Sequence, residues 1–457
     1  MAAPALLAEA SSAFLQGVER ERLGDRDGAA TLYRQALALH AAFPQASVNL
    51  SALLAAAGEW GAAETGLRRA LELSPTSALL QFRLGELLRR RFRLAEAAVH
   101  LSRARELEPG HWEAWFDSGL LQLDLGDDRA ALNCFDRALA LAPLDSPMRI
   151  AIRWHRGMAF LAMGEYTEGF AECEVRYALK PPQKRPFPMP LWQGEAIAGR
   201  RLLVWSDQGF GDTLQFVRFL PFLEALRARL VFSVQPELVP LLDGLCREMT
   251  LVRPQDALPM TDFHVPLMSL PHRLGTTLAS LPAKVPYLRA PTHVAFALPP
   301  RPPGCRLAVG VVWAGNANHP QDYKRSAPLA PFLALGDIPG VRLVSLQTGP
   351  RARDLAAADA GGAVPDLGAG LRDFSDSAAA LAALDLVVSV DTAIVHLAGA
   401  LARPGFVVLP YSPDWRWLRG RSDSPWYPSL RLFRQTAPGD WRSALAEVRA
   451  AILERLA

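Results

Sequence analysis

The residues best placed to do chemistry in this chain are Asp391, Thr392 and His396, in the stretch Leu386 to Leu401. Leu386 to Val390 is a short apolar, β-branched run that reads as a buried parallel strand. Asp391 and Thr392 are good helix N-caps, and a helical pattern of small residues starts at Ala393. A strand that runs straight into a helix N-terminus presents free N–H groups and the positive end of the macrodipole to an anion. His396, four residues after Thr392, lies about one turn further in and offers a donor. The chemistry expected is a seat for a diphosphate. An ordinary strand–helix junction with a capping Asp and a packed His is the alternative that this stretch alone leaves open.

A second candidate is the loop Asp207-Gln208-Gly209-Phe210-Gly211-Asp212, between a strand at Arg201–Trp205 and a helix expected over Thr213–Leu226. Gly209 and Gly211 stand where the backbone must turn sharply and let a ligand approach. Asp212 stands at the carboxyl end of a strand, where open sheets bind ligands. It is either a general base that accepts a proton from an attacking hydroxyl or a cap on the helix. A third set follows the expected strand Leu307–Trp313: Gly315 and Asn316 in its first turn, then the cations Lys324 and Arg325. Gln347 follows another expected strand, Val341–Leu346. No Asp-x-Asp pair stands where a metal-dependent transferase would need it, so neither metal nor cofactor is expected.

The elements that must position these groups form two α/β halves. Further strands are expected at Arg229–Val234, Thr250–Arg253, Phe263–Pro266 and Gly405–Leu409. Helices are expected at Glu237–Leu245, Asp373–Leu384 and Asp440–Leu456. This alternation predicts parallel, doubly wound sheets. The domains expected are 201–298 and 299–457, with Pro299, Pro300, Pro302 and Pro303 between them. Such paired halves, a GT-B-like architecture, hold their ligands in the cleft between them.

The first third of the chain is different. Ala36, Ala70, Ala104 and Ala138 recur every 34 residues, and Ala29, Ala63, Ala97 and Ala131 keep the same period. Gly24, Gly58 and Gly126 stand five residues before three of these alanines, with Phe92 in the glycine's place in the third unit. Pro75, Pro109 and Pro143 close three units. Four markers in phase at this period resemble the tetratricopeptide repeat, an all-α superhelix. About five units are expected over 1–180, followed by a proline-rich linker over 181–200. Their concave face suits a protein segment, although an arm or a dimerisation surface uses the same fold. The run Arg89 to Arg93 reads as a solvated helix end.

Composition narrows the class. A net charge of +3 over 457 residues argues against a dedicated nucleic-acid binder. Cys134, Cys173, Cys246 and Cys305 are far apart and fit a reducing cytosol better than a disulfide framework or a zinc site. No signal peptide or membrane span is read, so a cytoplasmic protein is expected.

The C-terminal part also resembles glycosyltransferase family 9, the heptosyltransferase-like group. The matching pieces are Gly209-Phe210-Gly211-Asp212-Thr213 and Val390-Asp391-Thr392-Ala393-Ile394-Val395-His396-Leu397-Ala398. Repeats followed by this domain are similar to bacterial tetratricopeptide glycosyltransferases, some of which modify flagellin. The resemblance implies that Thr392, Ala393 and His396 hold the donor diphosphate, that Lys324 or Arg325 neutralises it, and that Asp212 is the base. It implies sugar transfer from a nucleotide-sugar to an acceptor hydroxyl, with inversion and without a metal. Heptosyltransferases lack the repeats and the Trp-rich tail, so their heptose donor and lipid acceptor do not carry over. The competing readings are a non-catalytic scaffold and a nucleotide-sugar epimerase. Oligomeric state stays open.

Overall fold

The computed structural model describes residues 2–179, 187–294, 296, 298–319, 322–360 and 362–457. The chain divides into two compact units, Met1–Ala159 and Phe160–Ala457.

In the first unit, helices pair antiparallel in a tetratricopeptide-like superhelix: Ala2–Arg22 with Arg26–Leu39, Pro44–Ala56 with Trp60–Leu73, Ala78–Arg90 with Leu94–Leu107, and Trp112–Leu125 with Asp128–Leu141. The periodic alanines sit where these helices cross, none more than 4% exposed. Close approach also explains glycines inside helices. A Cβ on Gly119 would run into the Phe135 ring, and one on Gly85 would lie 2.7 Å from Leu101. Gly24, Gly58 and Gly126 turn the chain with φ of 83°, 84° and 82°, the left-handed region that glycine enters without a Cβ clash. Phe92 adopts the same hand at φ 59°.

The arginine run is a helix end with Arg90 and Arg91 exposed, but three of its arginines are also paired. Arg89 is half-buried between Asp117 and Asp124 of the next repeat at 3.1 and 3.2 Å, while Arg91 and Arg93 pair with Glu64 of the preceding one. These pairs staple neighbouring repeats.

The boundary of the repeat arm differs from the expected residue 180. Two further helices do follow, Met148–Met163 and Tyr166–Cys173, but the second of them belongs to the second unit. There the Tyr166 hydroxyl accepts the Trp426 indole N–H at 2.9 Å, and Phe170 packs edge-on to Trp415 and Phe216. Residues 181–186 of the expected linker lie outside the described residues. Beyond them the chain is part of the α/β body: Trp192 is buried, and the 190–192 segment exchanges backbone hydrogen bonds with His264 at 2.8 and 3.0 Å.

The second unit holds two parallel sheets. The first, in order β3-β2-β1-β4, consists of β1 (Arg201–Trp205), β2 (Arg229–Ser233), β3 (Met249–Val252) and β4 (Phe263–Pro266). The second, in order β6-β5-β7-β8-β9, consists of β5 (Leu307–Val312), β6 (Val341–Ser345), β7 (Leu386–Val390), β8 (Gly405–Leu409) and β9 (Leu430–Arg434). Neighbouring strands are parallel throughout. Each residue of β5 and β7 is buried, as strands covered on both faces must be. Fully burying each valine of β7 contributes roughly 1.5–3 kcal/mol.

Two expected helices are shorter than their patterns. The Thr213–Leu226 segment starts at Phe210 and breaks into Phe210–Phe216, a 3-10 turn and Leu220–Ala225, with Pro221 at the restart. The Glu237–Leu245 segment yields only a 3-10 turn and Val239–Leu242, because Pro240 falls inside it and Gly244 turns left-handed at φ 76°. The edge strand β9, unforeseen, alternates exposed Arg431 with buried neighbours.

Candidate functional site

In each sheet the chain reverses its direction of winding between two neighbouring strands, β1 and the edge strand β4 in the first, β5 and β7 in the second. Crevices at the carboxyl ends of such strands are where open α/β sheets take ligands. The loops after β1, β5, β7 and β8 meet at this level.

After β7, Thr392 caps the Ala393–Ala400 helix with extended backbone (φ −139°, ψ 170°) but makes no side-chain bond to its first-turn amides. Its hydroxyl pairs with Ser389 instead, at 3.1 Å. The half-buried residues 391–394 therefore present a helix N-terminus without side-chain capping, which favours an anion. His396 is different from expectation. It is only 5% exposed; its Nδ1 is 3.0 Å from the Tyr427 hydroxyl, its Nε2 is 3.7 Å from Asp391, and its ring stacks on Trp417. Burial opposes ionisation of Asp391, but His396, Trp417 and Arg416 outweigh it and hold the carboxyl below its ordinary range. His396 thus braces Asp391 and the loop behind the seat.

Tyr427 reaches His396 because residue 399 is glycine: a Cβ there would overlap the tyrosine ring. Gly399→Val is expected to push the ring off, break the Tyr427–His396 contact and cost about 1–3 kcal/mol by overpacking. Urea unfolding of the two proteins measures this, and equal midpoints would show that the ring relocates freely.

After β1, Gly209 caps the Phe210–Phe216 helix, and Asp212 accepts its N–H at 3.0 Å while pairing through its other oxygen with the Arg416 guanidinium. Capping is therefore real. Gly209 has an ordinary φ of −72°, so no left-handed turn requires it. Gly211 serves packing: a Cβ there would lie 2.9 Å from the His396 ring and 3.7 Å from Ala393 Cα. It lets the helix from the first half press against the helix N-terminus from the second.

After β5, a Cβ on Gly315 would meet Asp322 at 2.6 Å and Arg325 at 2.7 Å, so this glycine makes room for that pair. Arg325 donates to Asp322 at 3.2 Å, and Gly315 N–H donates to Ser326, which donates to Asp322 at 2.8 Å. Asn316 accepts the Asn318 N–H at 3.0 Å, closing the turn. Lys324 and Arg325 end the short Asp322–Arg325 helix, half-buried beside the strand end. Gln347 is 2% exposed and spends its amide on the backbone: its oxygen accepts from Trp313 and Ala314, and its nitrogen donates to Ala314 and Thr348. It shapes the loop after β5 and does not face a ligand. His319 feels charges from both halves: desolvation and Arg325 lower its pKa, against Asp322, Asp212 and Asp414.

The first sheet's own crevice is filled by the chain. Arg176 donates to Asp207 after β1 at 2.9 Å and to Ser269 after β4 at 2.8 Å, both ends buried. At the second sheet's strand ends the structure brings Gly211 and Asp212 of the first half against Ala393, His396 and Arg416 of the second, while Gly315 and Arg325 pack on Asp322 in the loop after β5. Arg416, Asp414 and Tyr427 were not foreseen as site residues. Their signal was the dense Trp-Arg-Trp and Trp-Tyr pieces of the tail, residue types that more often fill cores.

The chain carries a tetratricopeptide repeat, matched by the family model over residues 113–143. It is 28% identical over 420 residues to Protein FlbA of Caulobacter vibrioides, a match that spans 84% of this chain and 69% of that protein. Solved structures similar to part of it include TTC0263, a tetratricopeptide protein of Thermus thermophilus, with 23% identity, 38% of this chain, 93% of that chain and a TM-score of 0.33. MamA is similar at 22% identity, 36% of this chain, 92% of that chain and a TM-score of 0.30. The chain thus combines a tetratricopeptide-like helical repeat region with an α/β body of two parallel sheets. No helix among the described residues is long and apolar enough to cross a membrane.

Proposed function

We propose that the α/β body is a glycosyltransferase of GT-B layout, which moves a sugar from a nucleotide-sugar to an acceptor hydroxyl on a protein recruited by the repeats. The observation that carries this reading is the helix N-terminus at Ala393, without side-chain caps, at the crevice of the second sheet. Cleavage at the anomeric carbon leaves a nucleoside diphosphate with growing negative charge. First-turn amides at 393–394 and the Lys324–Arg325 pair are suited to stabilise that charge. Asp212, beside Gly211 on the facing helix, is suited to take the proton of an acceptor hydroxyl, and attack from the face opposite the diphosphate inverts the anomeric centre. The repeats support protein recognition as their share of the work.

A non-catalytic scaffold is the second reading, favoured by one observation: Asp212 and His396 are both engaged in structural contacts. A thermal-shift screen against UDP-, GDP-, ADP-, TDP- and CMP-linked sugars separates the two. The transferase reading expects one donor to raise the melting temperature, since a ligand of the folded state stabilises it by mass action. It also expects Arg325→Ala to reduce that shift. A flat response to every donor, with no transfer to a cell-derived acceptor protein, would leave the scaffold.

A further inference from the structure

Arg416, in the 3-10 turn after β8, is the most widely shared side chain of the site. Its side chain is 11% exposed. Its Nε donates to the Gln215 amide oxygen, one terminal nitrogen donates to Asp414 at 2.8 Å, and the other donates to Asp212. The guanidinium lies over the Trp415 ring, 4.6 Å from its centroid. Asp391 adds a third negative charge in range. One buried cation therefore serves three carboxylates. Beside it, Gln215 is wholly buried, and its amide nitrogen has no hydrogen-bond partner among the described residues. Gly211, adjoining Asp212, touches Ala393, where the helix amides open.

An anion that settles at Ala393 thus enters the field of Arg416 and Asp212 together, and the two respond with opposite sign. It attracts the guanidinium and repels the carboxylate, so the ion pair cannot keep its full strength beside a bound diphosphate. The bonds from Arg416 to Gln215 and Asp414 give the guanidinium two fixed points about which its third donor pair can turn.

We infer that Asp212–Arg416 is an exchangeable latch. Without donor, Asp212 holds Arg416. A diphosphate draws one terminal nitrogen of Arg416 to itself and releases the Asp212 oxygen toward the acceptor. This rests on the transferase reading above and deepens it: the base becomes available only once the leaving group is in place. Arg416 is then a positioning residue before binding and a phosphate ligand after it.

The test is calorimetric titration of inorganic pyrophosphate into the full chain and into Asp212→Asn. Asparagine keeps an oxygen for the Gly209 cap but loses the charge that competes for Arg416. The latch expects pyrophosphate to bind Asp212→Asn at least tenfold more tightly than wild type. It expects a smaller gain from Asp414→Asn, because Asp212 still holds the exchanging nitrogen. Should Asp212→Asn not fold by circular dichroism, Asp212→Ser removes the same charge and keeps a capping oxygen. Equal or weaker binding by the charge-free variant, or an equal gain from Asp414→Asn, overturns the latch. If that happens while a nucleotide-sugar still stabilises the wild type, the transferase reading stands without it. If neither pyrophosphate nor any donor binds, both fall.

Discussion

On the proposed transferase reading, Asp212→Asn is expected to lower sugar transfer about 10²–10⁴-fold, the span typical of losing a positioned general base. The physical reason is that the acceptor hydroxyl must shed its proton as it attacks, and asparagine cannot accept one. The substitution is otherwise mild. The side chain is already partly in solvent, at 25% exposure, and asparagine retains an oxygen for the Gly209 N–H. Its lost ion pair is partly offset because Arg416 keeps Asp414 and Gln215. Activity should therefore fall without loss of donor binding or of the folded state, and turnover measured at saturating donor reads this directly. Wild-type turnover in a folded Asp212→Asn protein would reduce Asp212 to the helix cap that it also is.

The second large effect is structural. Arg176→Met is expected to destabilise the α/β body by about 3–5 kcal/mol, as the removal of one partner from a buried ion pair does. Arg176 and Asp207 have side chains 5% and 2% exposed, 2.9 Å apart. Arg176 also donates to Glu174 at 2.9 Å and to the Cys173 carbonyl at 3.1 Å, and Arg273 donates to Glu174 at 2.7 Å. Tyr177 donates to the same Asp207 oxygen at 2.7 Å, and the Met268 N–H to the other at 3.3 Å. Methionine fills the stem's volume but leaves the Asp207 carboxylate in a low-dielectric crevice without its cation. Urea unfolding followed by tryptophan fluorescence measures the cost. A loss below about 1 kcal/mol would mean that water reaches Asp207 and solvates it, as at an exposed pair. The double change Arg176→Met with Asp207→Leu should recover much of the loss, because Asp207 then leaves no unpaired charge buried and Glu174 keeps Arg273. The loop that starts at Asp207 carries Gly209, Gly211 and Asp212, so the single variant should also weaken whatever that loop does.

Much of the architecture is legible in the residues. The repeat period marks the helix pairs because each crossing tolerates only a small side chain, as at Ala63 and Ala97. Leu386 to Val390 and Gly405 to Leu409 are strands with the expected bounds, since runs this apolar and β-branched must be covered on both faces. The helix starts at Ala393, where the pattern of small residues begins, although Thr392 before it makes no side-chain cap bond. Less legible was β9, where two arginines interrupt an apolar run and only the sheet edge accommodates them.

The sequence by itself determined which elements form and where strands hand over to helices, because periodicity, capping and turn chemistry act between near neighbours. Tertiary structure alone decided what each candidate residue touches. Asp212 meets an arginine 204 positions away, and Arg176 meets a serine 93 positions away. Gly211 and Gly399 look like flexible turn or helix glycines in the chain, yet each is the gap into which a distant ring fits. Gln347, polar at a strand end, reads as a ligand until its four backbone partners are in view. Contacts of this kind depend on distance in space, and no local pattern encodes them.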